Sequence, residues 1–183
     1  MADRHGWDDL VLWKMDLQGA FTLLWIHPDH TLLLAFLLTG GLVVFHLVGL
    51  FGWAGMPHAF HVLTRALEAL IGARIAGSSK FYVDDLMACS TRATLFLDQL
   101  AARDTIRSLA GPDALAPDKD ETGRRLDFIG GQFCLNTRTV SVSHRKLLRT
   151  CHAFFCFELS ARLPKTLLQR MSSLAIRLSE LCP

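Results

Sequence analysis

Phe81-Tyr82-Val83-Asp84-Asp85-Leu86-Met87-Ala88 sets two adjacent carboxylates between two apolar runs. Such a stretch reads as a strand, a tight turn and a second strand, with the acids at the tip. Two like charges side by side on a buried hairpin repel one another unless a cation neutralises them. Magnesium suits that place, because it is hard, takes carboxylate oxygens and keeps positions open for phosphates. The plainer alternative is an Asp-Asp pair that simply makes a solvated turn. On this stretch alone both readings stand.

Working outward, residues 10–15 (LVLWKM) are apolar apart from Lys14 and end at Asp16. They read as a buried strand that delivers a carboxylate at its C-terminal end. If that strand lies beside the hairpin in an antiparallel sheet, Asp16, Asp84 and Asp85 converge on one edge. Three converging carboxylates can hold two divalent ions about 3.5–4 Å apart, an arrangement used for in-line displacement at phosphorus.

The chain has 183 residues, 51% hydrophobic and 20% charged, with a formal net charge of +2. That suffices for one domain, or one domain and a small appendage, around a sizeable core. The bulk charge does not announce a nucleic-acid binder. The basic residues are nonetheless concentrated between Arg124 and Arg177. A basic C-terminal third suits a phosphate backbone, and ordinary solubilising charge is the alternative. The five cysteines are odd in number and show no C-x-x-C spacing. They argue against a disulfide framework or a zinc site and for an intracellular, reduced setting, cytoplasmic or nuclear. The first seven residues are polar and do not resemble a signal peptide. His27, His46, His58, His61, His144 and His152 lack metal-ligand spacing and read as surface or satisfied core.

Residues 31–56 contain no Asp, Glu, Lys or Arg. By length this stretch passes as a membrane span. Gly40-Gly41 breaks it into strand-length blocks, so a buried β-hairpin is the preferred reading. Residues 57–71 form a helix with Pro57 in the first turn and Phe60, Leu63, Leu67 and Leu70 inward. A second helix, capped by Ser90 or Thr91, runs to about residue 109 with Leu95, Leu97, Leu100 and Ile106 inward. Residues 126–133 and 139–142 read as two strands around Asn136-Thr137-Arg138. From His144 onward the pattern is helical, interrupted at Pro164. The order of elements predicts an α+β fold, an antiparallel sheet with helices on one face.

These motifs, in this order, resemble the palm of a reverse transcriptase from an LTR- or DIRS-type retroelement, over nearly the whole chain. Asp16-Leu17-Gln18-Gly19-Ala20-Phe21 resembles the family's first palm motif, and residues 51–60 (FGWAGMPHAF) resemble the second. Phe81-Tyr82-Val83-Asp84-Asp85 is its most recognisable signature. Pro117-Asp118-Lys119 resembles the fourth motif, Phe128-Ile129-Gly130 the primer grip, and Leu147 with its neighbours the start of the thumb.

The resemblance implies a ferredoxin-like, RRM-like palm over residues 1–143 and thumb-like helices over 144–183. It implies two-metal transfer from a deoxynucleoside triphosphate to a primer 3′-hydroxyl. Asp16, Asp84 and Asp85, with Leu17 beside them, would hold two magnesium ions, with manganese as a substitute. Ala20, Phe21, Phe51 and Gly52 would shape the nucleotide pocket, Phe21 excluding a 2′-hydroxyl. Tyr82, Val83, Ile129 and Gly130 would contact the primer, and Lys119 would protonate the leaving pyrophosphate. The implied partners are an RNA or DNA template with its primer, a deoxynucleoside triphosphate and other polyprotein segments, with no membrane.

The chain departs from the family in two ways. Fifteen residues precede Asp16, so most of the fingers are expected to be missing, and residues 31–50 are unusually apolar. A catalytically inert relic with weak nucleic-acid binding is therefore the alternative function. A small membrane protein, carried by residues 31–56, is a third.

Overall fold

The computed structural model describes residues 6–142 and 147–149. They divide into two compact units that part between Thr122 and Gly123.

The first unit is built on β1 (Leu10–Asp16), in which all residues but Lys14 are buried. Such a nearly continuous apolar run suits an inner strand rather than an edge. β1 pairs antiparallel with β5 (Asp85–Thr91), which pairs antiparallel with β4 (Ser78–Tyr82). β6 (Glu121–Gly123) flanks β1 on its other side, giving the order β4-β5-β1-β6. Two helices, α1 (Met56–Gly72) and α2 (Leu95–Ala110), pack against each other, α1 also meeting β4 and α2 meeting β5. Trp13, Met15 and Leu86 share one core with Phe60, Leu67 and Ile71 of α1 and Ala102 and Ile106 of α2. The fold is mixed helix and antiparallel sheet, as the order of elements predicts.

A buried polar cluster ties these layers together. Asp98 accepts from Ala76 N (2.9 Å), Gly77 N (3.1 Å), Ser90 Oγ (2.6 Å) and Thr94 Oγ1 (3.1 Å). Ser90 Oγ in turn accepts from Trp13 Nε1 at 2.9 Å. Ser90 and Thr91 therefore lie within β5, and the helix cap is Thr94. This corrects the predicted cap: the strand runs through Thr91, and the Ser90 side chain is engaged in the core with Trp13 and Asp98.

Three inward assignments are also corrected. Leu70, Leu97 and Leu100 are exposed, while Ile71, Ala102 and Thr105 are buried in their place. Both helices carry apolar residues on more than one face, so spacing alone leaves their rotation about the axis open.

The predicted hairpin around Gly40-Gly41 forms, from β2 (Ala35–Leu37) and β3 (Val43–Phe45), as a separate two-stranded sheet. It is not buried: Leu37 is 69% exposed and Leu42 62%. A strand-length apolar run shows that a segment favours extended structure, not which surface covers it. Among the described residues no helix is long and apolar enough to cross a membrane.

The second unit begins with an antiparallel meander of β7 (Arg125–Phe128), β8 (Gly131–Cys134) and β9 (Thr139–Val142). The single strand expected over 126–133 is two, folded back at Ile129-Gly130. Both turn residues have positive φ, 50° and 87°, as a type I′ hairpin requires. Residues 147–149 are helical. The helices predicted on either side of Pro164 lie outside the described residues.

Candidate functional site

The site starts from strand register. Asp16, last in β1, is directly opposite Asp85, first in β5, and Asp85 is also opposite Tyr82 of β4. Residues opposed in this way stand about 4.5–5.5 Å apart at Cα. The Leu17 N–H then donates to the Asp84 carbonyl at 2.9 Å, which fixes the tip of the hairpin to the end of β1. The turn is only two residues long, Val83 and Asp84. Val83 has φ 55°, a rare value for a β-branched residue. Such strain, of order 1–3 kcal/mol, persists only where surrounding structure enforces it. Here the enforcing contacts are the paired strands and the Leu17 hydrogen bond.

The electrostatics follow from this crowding. Asp16 is buried. Burial, a hydrogen bond to Asp16 and the charges of Asp16 and Asp84 push Asp85 up to about 6, while Lys14 pulls it down. Lys119 Nζ donates to Asp16 Oδ2 at 2.7 Å, and that bond raises the lysine above its ordinary range. Lys119 lies in a short 3-10 turn (Pro117–Lys119) anchored by Ala116 N donating to the Asp16 carbonyl at 3.0 Å.

The structure thus brings together Asp16, Leu17, Asp84, Asp85 and Lys119. Among the described residues, no three or more His, Cys, Asp or Glu side chains already form a group that could hold a metal ion. The donors present are hard carboxylate oxygens, and an acid pushed up by burial and by its acidic neighbours is one that a cation would relieve. Their chemistry fits magnesium or manganese.

Ala20 and Phe21 lie in a 3-10 turn (Ala20–Leu23) directly after Gly19, whose φ of 79° starts it. Phe21 is buried, its ring 4.9 Å from that of Phe51 and 5.3 Å from that of Phe60. Phe51 is 75% exposed and is followed by Gly52 at φ 97°. Tyr82 and Val83 are exposed at the hairpin tip. Ile129 and Gly130 form the I′ turn of the second unit.

Two features escaped the sequence reading. Lys14, two residues before Asp16, pairs with Glu121 at 2.7 Å and bears on Asp85. Its position two before the acid, on the same strand face, was the available signal. His58 and His61 line a cavity of about 420 Å³ with Ala54, Pro57, Phe60 and Val83, beside the hairpin tip. Their i, i+3 spacing on a helix carried no metal signature and gave no hint of that neighbour.

No family model matches the chain, and no curated protein matches it in sequence. Solved structures do match in shape. One is the foamy viral protease-reverse transcriptase dRH in complex with double-stranded DNA, at TM-score 0.66 and 18% identity over 90% of this chain. The foamy viral protease-reverse transcriptase with an RNA/DNA hybrid gives 0.65 at 15%, and with double-stranded DNA 0.64 at 16%, again over 90%. The chain has a reverse transcriptase-like fold. It spans 26%, 20% and 32% of the lengths of those chains. Within this chain it is the β1–β5 register that brings Asp16 to the Asp84-Asp85 turn, although Asp16 and Asp84 lie 68 positions apart.

Proposed function

We propose that the chain is the palm, with the beginning of the thumb, of an RNA-directed DNA polymerase from an LTR- or DIRS-type retroelement. In this reading the sheet β4-β5-β1-β6 with α1 and α2 is a ferredoxin-like palm. The observation that carries it is the Asp16–Asp85 cross-strand pair, with Asp84 tied alongside, in a chain whose fold is reverse transcriptase-like.

Asp16, Asp84 and Asp85, with the main chain at Leu17, would hold two magnesium ions. When bound, the ions supply Lewis-acid activation and neutralise charge on the triphosphate. The transfer forms a bond between the primer 3′-oxygen and the α-phosphorus, breaks the bond from that phosphorus to pyrophosphate and releases the hydroxyl proton to water. Lys119 supplies a proton to the departing pyrophosphate. Phe21, held by Phe51 and Phe60, presents a fixed ring beneath the sugar and rejects a 2′-hydroxyl. Tyr82 and Val83 at the exposed tip, and Ile129 and Gly130 in the I′ turn, contact the primer. The solved neighbours are complexes with double-stranded DNA or an RNA/DNA hybrid, which supports a template–primer duplex as partner. Such a duplex is read through its shape and phosphates.

The test is primer extension by this chain joined to a fingers segment, with magnesium and deoxynucleoside triphosphates. Asp84→Asn is expected to abolish extension while duplex binding persists. Extension at the native rate in that variant overturns the assignment.

A further inference from the structure

Lys119 is held against Asp16 by more than its own reach. Gln18 N donates to the Ala114 carbonyl at 2.8 Å, Ala116 N to the Asp16 carbonyl at 3.0 Å, and Lys119 N to the Ala116 carbonyl at 3.0 Å. The two residues after the lysine are each ion-paired to a different element. Asp120 meets Arg103 of α2 at 2.7 Å, and Glu121 meets Lys14 of β1 at 2.7 Å. The segment is therefore fastened on both sides of Lys119, and the ammonium meets a largely covered carboxylate. An ammonium and a divalent ion seek the same oxygen lone pairs, and both neutralise the same crowded acids.

We propose that Lys119 is a built-in counter-ion that competes with a divalent cation for Asp16, so that metal loading displaces the ammonium from Oδ2. This rests on the metal-site reading above. Competition of this kind is reciprocal: whatever loosens the lysine tightens the metal, and the metal frees the lysine by the same factor. The freed ammonium is then available to the triphosphate at the moment the metal site fills. Loading and proton supply are thereby coupled through one carboxylate oxygen.

The test is manganese binding by titration calorimetry on the full chain, with circular dichroism to confirm folding. Lys119→Gln is expected to tighten binding about two- to five-fold, the range of an ion pair whose cation stays in contact with solvent. Lys119→Arg, which keeps the charge, is expected to stay within about two-fold of the native chain, and Lys14→Gln to change affinity less than Lys119→Gln does. A second readout is the acylation rate of Lys119 by an N-hydroxysuccinimide ester, which is expected to rise with manganese. Unchanged affinity in Lys119→Gln, with binding lost in Asp16→Asn, overturns the competition and leaves the metal site standing. Equal tightening by Lys14→Gln and Lys119→Gln also overturns it, since the effect is then the summed field of nearby cations. Native affinity in both Asp16→Asn and Asp85→Asn overturns the metal site itself.

Discussion

Asp85 sets the pH behaviour of the site. Its acid form is favoured in the folded chain, at about 6 against an ordinary 3.8. The folded state therefore binds the proton more tightly than the unfolded state. Between these values this residue's contribution to stability falls as pH rises. Without divalent ions, Asp85→Asn removes that fall, so the variant gains Tm over the native chain from pH 4.5 to 7. The same Tm difference at both pH values would refute the assignment. Glu68 works in the opposite sense and lower window. Burial raises it, but Lys80, the Phe81 N–H and Arg65 together outweigh burial and leave it below 4.5. Its stabilisation is present above that range and lost as pH falls through its lowered value. Both acids were visible as residues in the sequence; their environments were not.

At the level of elements, Asp98 is the joint between β5, α2 and the turn after α1. Asp98→Ala leaves two backbone N–H groups and two hydroxyls without their acceptor, around a carboxylate and a Ser90 hydroxyl that are themselves buried. A loss of about 3–5 kcal/mol is expected in urea unfolding, as for removing one partner of a buried charged network. A loss under 1 kcal/mol would show that water replaces the carboxylate. Gly77 packs under the same joint. A Cβ there would stand 2.4 Å from the Cys89 carbonyl oxygen and 2.7 Å from Ser90 Oγ. The carbonyl belongs to β5 and cannot yield, so Gly77→Ala is expected to destabilise by about 1–3 kcal/mol in the same measurement. The strands and helices were legible because apolar runs and turn residues mark them locally. The rotation of α1 and α2 was not, since Leu97 and Leu100 are as apolar as the residues buried instead. Which of them faces inward depends on the β5 and Asp98 contacts, made by residues distant in sequence.

Across the whole molecule, the region around β2 and β3 stands out as an exposed apolar surface without charged residues. Leu37, Val43 and Phe45 are exposed on the small sheet and Leu33 and Leu42 beside it, in a stretch with no Lys or Glu. Uncharged apolar strands of this kind invite edge-to-edge association. Leu37→Lys with Val43→Lys is expected to raise the monomer fraction in size-exclusion chromatography without altering the circular dichroism spectrum. An unchanged elution profile would show that this surface does not drive association. The unusual composition of residues 31–50 was plain in the sequence, but burial was inferred from it wrongly. Hydropathy measures what a side chain prefers and not whether another surface is there to meet it.

By itself the sequence determined the mixed fold, the strand ending at Asp16, the acid-tipped hairpin and the motif order that resembles a reverse transcriptase. These are local signals, set by side-chain period and turn chemistry. Only the tertiary structure decided that Asp16 falls opposite Asp85, that Lys119 reaches Asp16 and that Asp98 is the buried joint. Register and packing join residues up to 107 positions apart, as Lys14 and Glu121 are, and no local pattern encodes which of them meet.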